Sequence, residues 1–156
     1  NVPGRTGVSC TPEHYARLAE IPRINGVKEA SGDISLVSRT RHLCGDALNI
    51  WSGNDEQTLP MLALGAKGVI SVASNIVPQV TLCATALSGD FFTARAIHEA
   101  YAGLFDALFY EVNPIPVKTA MQMLGWDSGR LRLPLCPMAE GNAAKLQNCL
   151  ESLQLL

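Results

Sequence analysis

The chain holds 156 residues, 47% of them hydrophobic and 17% charged, with a formal net charge of -2. That balance excludes a disordered or fibrous polymer and supports a packed core, because at this length roughly 70% of the unfolded chain's surface can be withdrawn from water. The cations are scattered, with no basic run interleaved with aromatics as a nucleic-acid surface requires, and no apolar stretch approaches the ~18 residues of a membrane span.

Five cysteines, Cys10, Cys44, Cys83, Cys136 and Cys149, form an odd set without CxxC spacing, so neither a disulfide framework nor a zinc site is indicated. No N-terminal signal with a basic head and apolar middle is present. A soluble protein of a reducing cytoplasm is expected. The first residue is Asn1 rather than methionine, and it opens directly into a Pro/Gly-rich turn, as though a strand had been cut just before it. The chain therefore reads as a fragment or a processed chain.

In chain order, Thr11 is an N-cap followed by Pro12 at the first helical position, which predicts a helix to Ile21 with Tyr15, Leu18 and Ala19 on one face and Pro22 as its stop. Ile24 to Ala30 reads as a strand. Its period of two puts Gly26, Lys28 and Ala30 on one face and Val27 and Glu29 on the other. Asp33 caps a helix from Ile34 to Cys44, a strand runs from Leu48 to Ser52, Pro60 suits the first turn of a helix ending near Gly65, and Gly68 to Ser74 is an apolar, β-branched strand. Strand centres at Lys28, Ile50 and Ile70 recur about every 20 residues, the spacing of β/α units on a parallel sheet. Past Asn75 the pattern is helical only: about Pro78 to Leu87, Asp90 to Tyr110, Pro116 to Leu124 and Glu140 to Leu153. Residues 1–88 thus read as β/α units and residues 89–156 as a helical region, matching the end of a barrel with appended helices, while periodicity leaves a doubly wound sheet open.

A lysine on an apolar strand is costly, since burying an unpaired ammonium disfavours the charged form. An enzyme gains from that cost: the free amine attacks a carbonyl and yields an imine that draws electrons from the neighbouring carbon. Gly26 and Ala30 leave room for a substrate beside Lys28. On spacing alone, Lys28 as a strand-end residue with its ammonium in solvent or paired with a carboxylate stays open. His14, His42 and His98 show no metal-ligand spacing and read as ordinary helix residues, Glu29 as an outer contact to a helix, and Gly65 and Gly68 as turn formers rather than a phosphate cradle. No cofactor or metal is called for.

The segments NVPGRTG at Asn1 to Gly7, GVKEASGD at Gly26 to Asp33, SGND at Ser52 to Asp55, GVISVASN at Gly68 to Asn75 and NPIPVK at Asn113 to Lys118 follow one another in an order and spacing that closely resembles the dihydrodipicolinate synthase (4-hydroxy-tetrahydrodipicolinate synthase) family, over the whole chain. The resemblance implies an α/β fold, the C-terminal part of a (β/α)8 TIM barrel with a helical C-terminal region. A complete barrel takes ~250 residues. It also implies that Lys28 forms a Schiff base with pyruvate, whose enamine adds to aspartate semialdehyde before cyclisation, in lysine biosynthesis. Arg5 resembles the arginine that receives the semialdehyde carboxylate, a task its guanidinium fork suits. Gly53 and Ile70 resemble positions whose backbone groups line the pyruvate pocket. Asn54 departs from the family, where aspartate is frequent; that matters little if only this loop's backbone is used.

The family's pyruvate-binding threonine pair and proton-relaying tyrosines belong, by the same resemblance, upstream of Asn1, so the implied activity needs that half. A homo-oligomer, dimer or tetramer, is implied for the intact protein, with the Ile34 to Cys44 helix at the weaker interface. Sibling Schiff-base lyases, such as N-acetylneuraminate lyase or a keto-deoxy-sugar-acid aldolase, share the lysine; Arg5 in its motif and Glu29 directly after Lys28 favour the synthase. A non-catalytic polypeptide that keeps part of the fold is the remaining alternative.

Overall fold

The computed structural model describes all of residues 1–156 and shows an α/β chain with a parallel sheet. Three strands, β1 (Gly26–Glu29), β2 (Asn49–Ser52) and β3 (Gly68–Val69), lie in the order β1-β2-β3. The register sets Lys28 opposite Trp51 and Trp51 opposite Gly68. Eight helices accompany them: α1 (Pro3–Thr6), α2 (Pro12–Ala19), α3 (Ile34–Cys44), α4 (Thr58–Ala63), α5 (Val80–Leu87), α6 (Phe91–Ala107), α7 (Ile115–Met123) and α8 (Glu140–Ser152). No helix is long and apolar enough to cross a membrane.

The chain forms two compact units, Asn1–Ser71 with Val80–Arg95, and Val72–Gln79 with Ala96–Leu156. In the first, one face of the sheet carries the core. Val27 and Ile50 pack with Val37, Met61 and Ala66, and a neighbouring cluster gathers Tyr15, Leu36 and Leu48. Tyr15 comes from α2, Leu36 and Val37 from α3 and Met61 from α4, so the apolar stripes of those helices cover the sheet face bearing Val27. The helix ends follow their local signals. The Thr11 hydroxyl accepts from the His14 amide at 3.4 Å while His14 Nδ1 accepts from the Thr11 amide at 3.0 Å, a reciprocal cap with histidine where Glu or Gln is usual. Asp33 Oδ1 accepts from the Leu36 amide at 3.0 Å. The second unit is helical, its core built from Leu104, Phe105 and Leu108 of α6, Val117 and Ala120 of α7, and Leu146 and Leu150 of α8, with Ala73, Ile76 and Val77.

Two local expectations need correction. The apolar run Gly68 to Ser74 is a strand only at Gly68–Val69, with one further ladder bond from the Ile70 amide to the Ser52 carbonyl at 2.8 Å; a 3-10 turn follows at Ala73–Asn75. A parallel strand extends only while its neighbour offers backbone partners, and β2 ends at Ser52, after which the chain turns through Gly53 and Asn54. Second, the Pro/Gly-rich turn expected at the opening of the chain forms the short helix α1, preceded by Asn1, which pairs with β1. The Asn1 amino group donates to the Lys28 carbonyl at 2.8 Å and the Asn1 carbonyl accepts from the Ala30 amide at 2.9 Å, so Asn1 bridges β1 in parallel fashion before α1 begins.

Candidate active site

Side chains on β1 alternate between two faces, and the residues either side of the Lys28–Glu29 peptide meet different surroundings. Glu29 points to the helix-covered face and is 3% exposed. Its Oε2 accepts from the Tyr15 hydroxyl at 2.6 Å, its Oε1 accepts from the Ser31 amide at 2.7 Å, and the Asn1 side-chain amide donates to both oxygens at 3.2 Å. A carboxylate with this many donors is a structural tie. It holds α2, the residue flanking β1 and the loop after β1 to one point. Tyr15, itself 3% exposed, has its hydroxyl pKa pushed well above the usual phenolic range by burial first and by the Glu29 hydrogen bond second. The Asn1 side-chain oxygen accepts in turn from the Cys10 amide at 3.1 Å.

The opposite face carries Lys28, half-buried, in a lane of small residues. The Gly53 amide donates to the Glu29 carbonyl at 2.7 Å, which continues the β1–β2 ladder and brings Gly53 beside the lysine. A β-carbon added at Gly53 would fall 2.8 Å from Lys28 Cε, 3.1 Å from its Cγ and 2.5 Å from the β-carbon of Ala30. The lysine stem therefore lies against the bare α-carbon of Gly53 and runs toward the C-terminal ends of the strands. By alternation Ile70, 49% exposed, shares this face with Gly68.

The structure thus brings together Lys28 and Gly53 in contact and sets Ile70 on the same sheet face. Arg5 is exposed on α1, which starts two residues after Asn1, whose backbone is bonded to β1 at Lys28. The loop after β2 is held independently. The Ser52 hydroxyl donates to the Asn54 carbonyl at 2.7 Å and accepts from the Asn54 amide at 3.2 Å, and the Gln57 side chain donates to the Gly32 carbonyl at 2.8 Å, tying this loop to the one after β1. Asn54 uses its side-chain amide on Gln57 Oε1 at 3.3 Å.

Sequence reasoning passed over two participants. Trp51 occupies the Lys28 face between Lys28 and Gly68; period-two alternation along β2 was the available signal, and the glycines on both neighbouring strands were the second. Asn1 falls in the Pro/Gly-rich opening just after an expected strand, and the sequence does not announce that Asn1 itself pairs with β1. No group of His, Cys, Asp and Glu side chains is arranged to hold a metal ion.

Residues 1–153 match the sequence model of the Dihydrodipicolinate synthetase family. Among curated relatives, the 4-hydroxy-tetrahydrodipicolinate synthase of Geobacter sulfurreducens is 49% identical over 158 residues, covering 100% of this chain and 54% of the relative, and that of Clostridium perfringens is 44% identical over 154 residues, covering 97% and 53%. The crystal structure of dihydrodipicolinate synthase from Thermotoga maritima superposes with a TM-score of 0.96 at 44% identity, over 100% of this chain and 55% of the other. A dihydrodipicolinate synthase described as a monomeric variant superposes at 0.95 and 42% identity, over 100% and 54%. The chain spans about half the length of the curated relatives it matches. On the match over residues 1–153, the chain belongs to the dihydrodipicolinate synthetase family.

Proposed function

We propose that the protein to which this chain belongs is a 4-hydroxy-tetrahydrodipicolinate synthase, a lyase of the Schiff-base aldolase type that condenses pyruvate with aspartate semialdehyde in lysine and diaminopimelate biosynthesis. The observation that carries the reading is Lys28 laid against the bare α-carbon of Gly53, on the sheet face opposite the helix-packed core. In the intact protein this sheet is the C-terminal part of a (β/α)8 barrel, residues 1–88 forming its wall and residues 89–156 the appended helices, a division by architecture rather than by compactness. Barrel enzymes carry their chemistry at the C-terminal ends of the strands, the direction in which the Lys28 stem runs.

The Lys28 amine attacks the ketone carbon of pyruvate, and loss of water gives a protonated imine. A proton then leaves the pyruvate methyl group, the electrons moving into the imine to form an enamine. The enamine carbon adds to the aldehyde of aspartate semialdehyde, whose oxygen takes up a proton. Arg5 receives the semialdehyde carboxylate through its guanidinium fork, and the backbone around Gly53 and Ile70 lines the pyruvate pocket. The whole protein works as a homo-oligomer, dimer or tetramer, in the cytoplasm; five cysteines, all present as free thiols, are consistent with a reducing compartment.

The test is borohydride reduction of the intact protein in the presence of pyruvate, followed by peptide mapping. A covalent mass at Lys28 is expected. An adduct at Lys67, Lys118 or Lys145 instead refutes the assignment. Cleavage of N-acetylneuraminate or a keto-deoxy-sugar acid, without condensation of the semialdehyde, would move the protein to a sibling aldolase.

A further inference from the structure

Trp51 stands in register between Lys28 on β1 and Gly68 on β3, with its side chain on the lysine's face of the sheet. The glycines locate the indole. A β-carbon added at Gly26 would fall 2.2 Å from Trp51 Cζ3 and 3.0 Å from Cη2, and one added at Gly68 would meet Cδ1 at 3.6 Å. The six-membered ring therefore lies over Gly26, and the five-membered ring edge faces Gly68. Gly26 is two residues before Lys28 on the same face, so the indole covers the N-terminal side of the lysine. Gly53, against which the stem lies, is on the C-terminal side. The two large side chains of this face leave their strands in opposite directions.

A lysine stem has four rotatable carbons and wastes most of its conformations unless neighbours remove them. We propose that Trp51 is a positioning residue for Lys28: its indole, seated on Gly26 and bordered by Gly68, is an apolar floor that denies the lysine the N-terminal half of the sheet face and leaves it the course over Gly53. This rests on the imine reading above. Trp51 touches no substrate in that scheme; it acts by raising the fraction of lysine conformers aimed at the reacting carbonyl. The small residue at 26 is the space the indole needs, which gives that glycine a steric reason separate from any turn.

The experiment compares the intact protein with Trp51→Ala, Trp51→Leu and Trp51→Phe, measuring the single-turnover rate of borohydride-trappable imine at Lys28 with pyruvate, the KM for aspartate semialdehyde, and the change in indole fluorescence when pyruvate is added. Removal of the floor should slow imine formation on the order of 10-fold to 100-fold, as expected for a misplaced reacting group, and leave the semialdehyde KM unchanged. Phe, a flat ring, should restore most of the rate; Leu, which fills volume without spanning the lane, should not. Wild type should show a pyruvate-dependent fluorescence change that Trp51→Phe lacks. If Ala fails to fold by circular dichroism, Leu against Phe decides. Trapping at the wild-type rate in Ala or Leu overturns the inference and leaves the imine reading standing. Absence of any Lys28 adduct in wild type overturns both.

Discussion

Gly53→Ala is the most direct perturbation of the lysine lane. The added methyl would lie 2.5 Å from the Ala30 β-carbon and 2.8 Å from Lys28 Cε, whereas unstrained carbon contacts lie at about 3.5 to 4.0 Å. Relief therefore needs displacements approaching ~1 Å. The lysine stem can rotate away, but the Ala30 β-carbon is fixed to the backbone of the loop entry and moves only with it. Two effects follow. Overpacking of this kind costs about 1 to 3 kcal/mol of stability. A ~1 Å displacement of a reacting group costs on the order of 100-fold in rate. In the intact protein, urea unfolding measures the first, and the rate of borohydride-trapped pyruvate adduct at Lys28 measures the second. Trapping within about twofold of wild type in a folded Gly53→Ala variant would refute the claim that the bare α-carbon of Gly53 sets the course of the lysine.

Tyr15→Phe removes the shortest donor to the buried Glu29 carboxylate and should cost about 1.5 to 3 kcal/mol by urea denaturation, the range for a hydrogen bond to a charged group. Because the folded pKa of Tyr15 lies above its ordinary value of 10.0, its contribution to stability is fully present below pH ~10 and is lost as the pH rises beyond it; the alkaline limb of the stability profile should be shallower in Tyr15→Phe than in wild type. Arg5→Ala should lower kcat/KM for aspartate semialdehyde by roughly 10-fold or more while leaving imine trapping with pyruvate near normal, and equal losses in both steps would count against a carboxylate clamp. Leu146→Ala opens a cavity at a side chain that is 0% exposed in the helical unit and should cost about 2 to 5 kcal/mol in thermal or urea unfolding, with no change in the Lys28 adduct site.

Much of this molecule is local, and what is local was legible in the order of its residues. Thr11-Pro12 and Asp33 mark helix starts because a capping side chain and the amide it satisfies are within three residues of each other. Lys28 and Glu29 were assigned to opposite faces because alternation along a strand is a property of the backbone itself, and the structure sends Glu29 to Tyr15 and Lys28 to Gly53 accordingly. The resemblance motifs extended this reading to Arg5, Gly53 and Ile70, residues whose chemistry alone would not have distinguished them.

What only the tertiary structure decided is everything that depends on a partner distant in sequence. The register Lys28 to Trp51 to Gly68, the ending of β3 after two residues, the bridge from Asn1 to β1 and the hydrogen bond from Tyr15 to Glu29 all join segments that different crossovers bring together. A parallel strand has no hairpin to set its register; the helices between strands set it through their packing on Val27 and Ile50. For that reason Trp51 looked like one more apolar residue of a strand. Its place beside Lys28 came into view only when three strands were aligned and Gly26 of β1 proved to be the room its ring occupies.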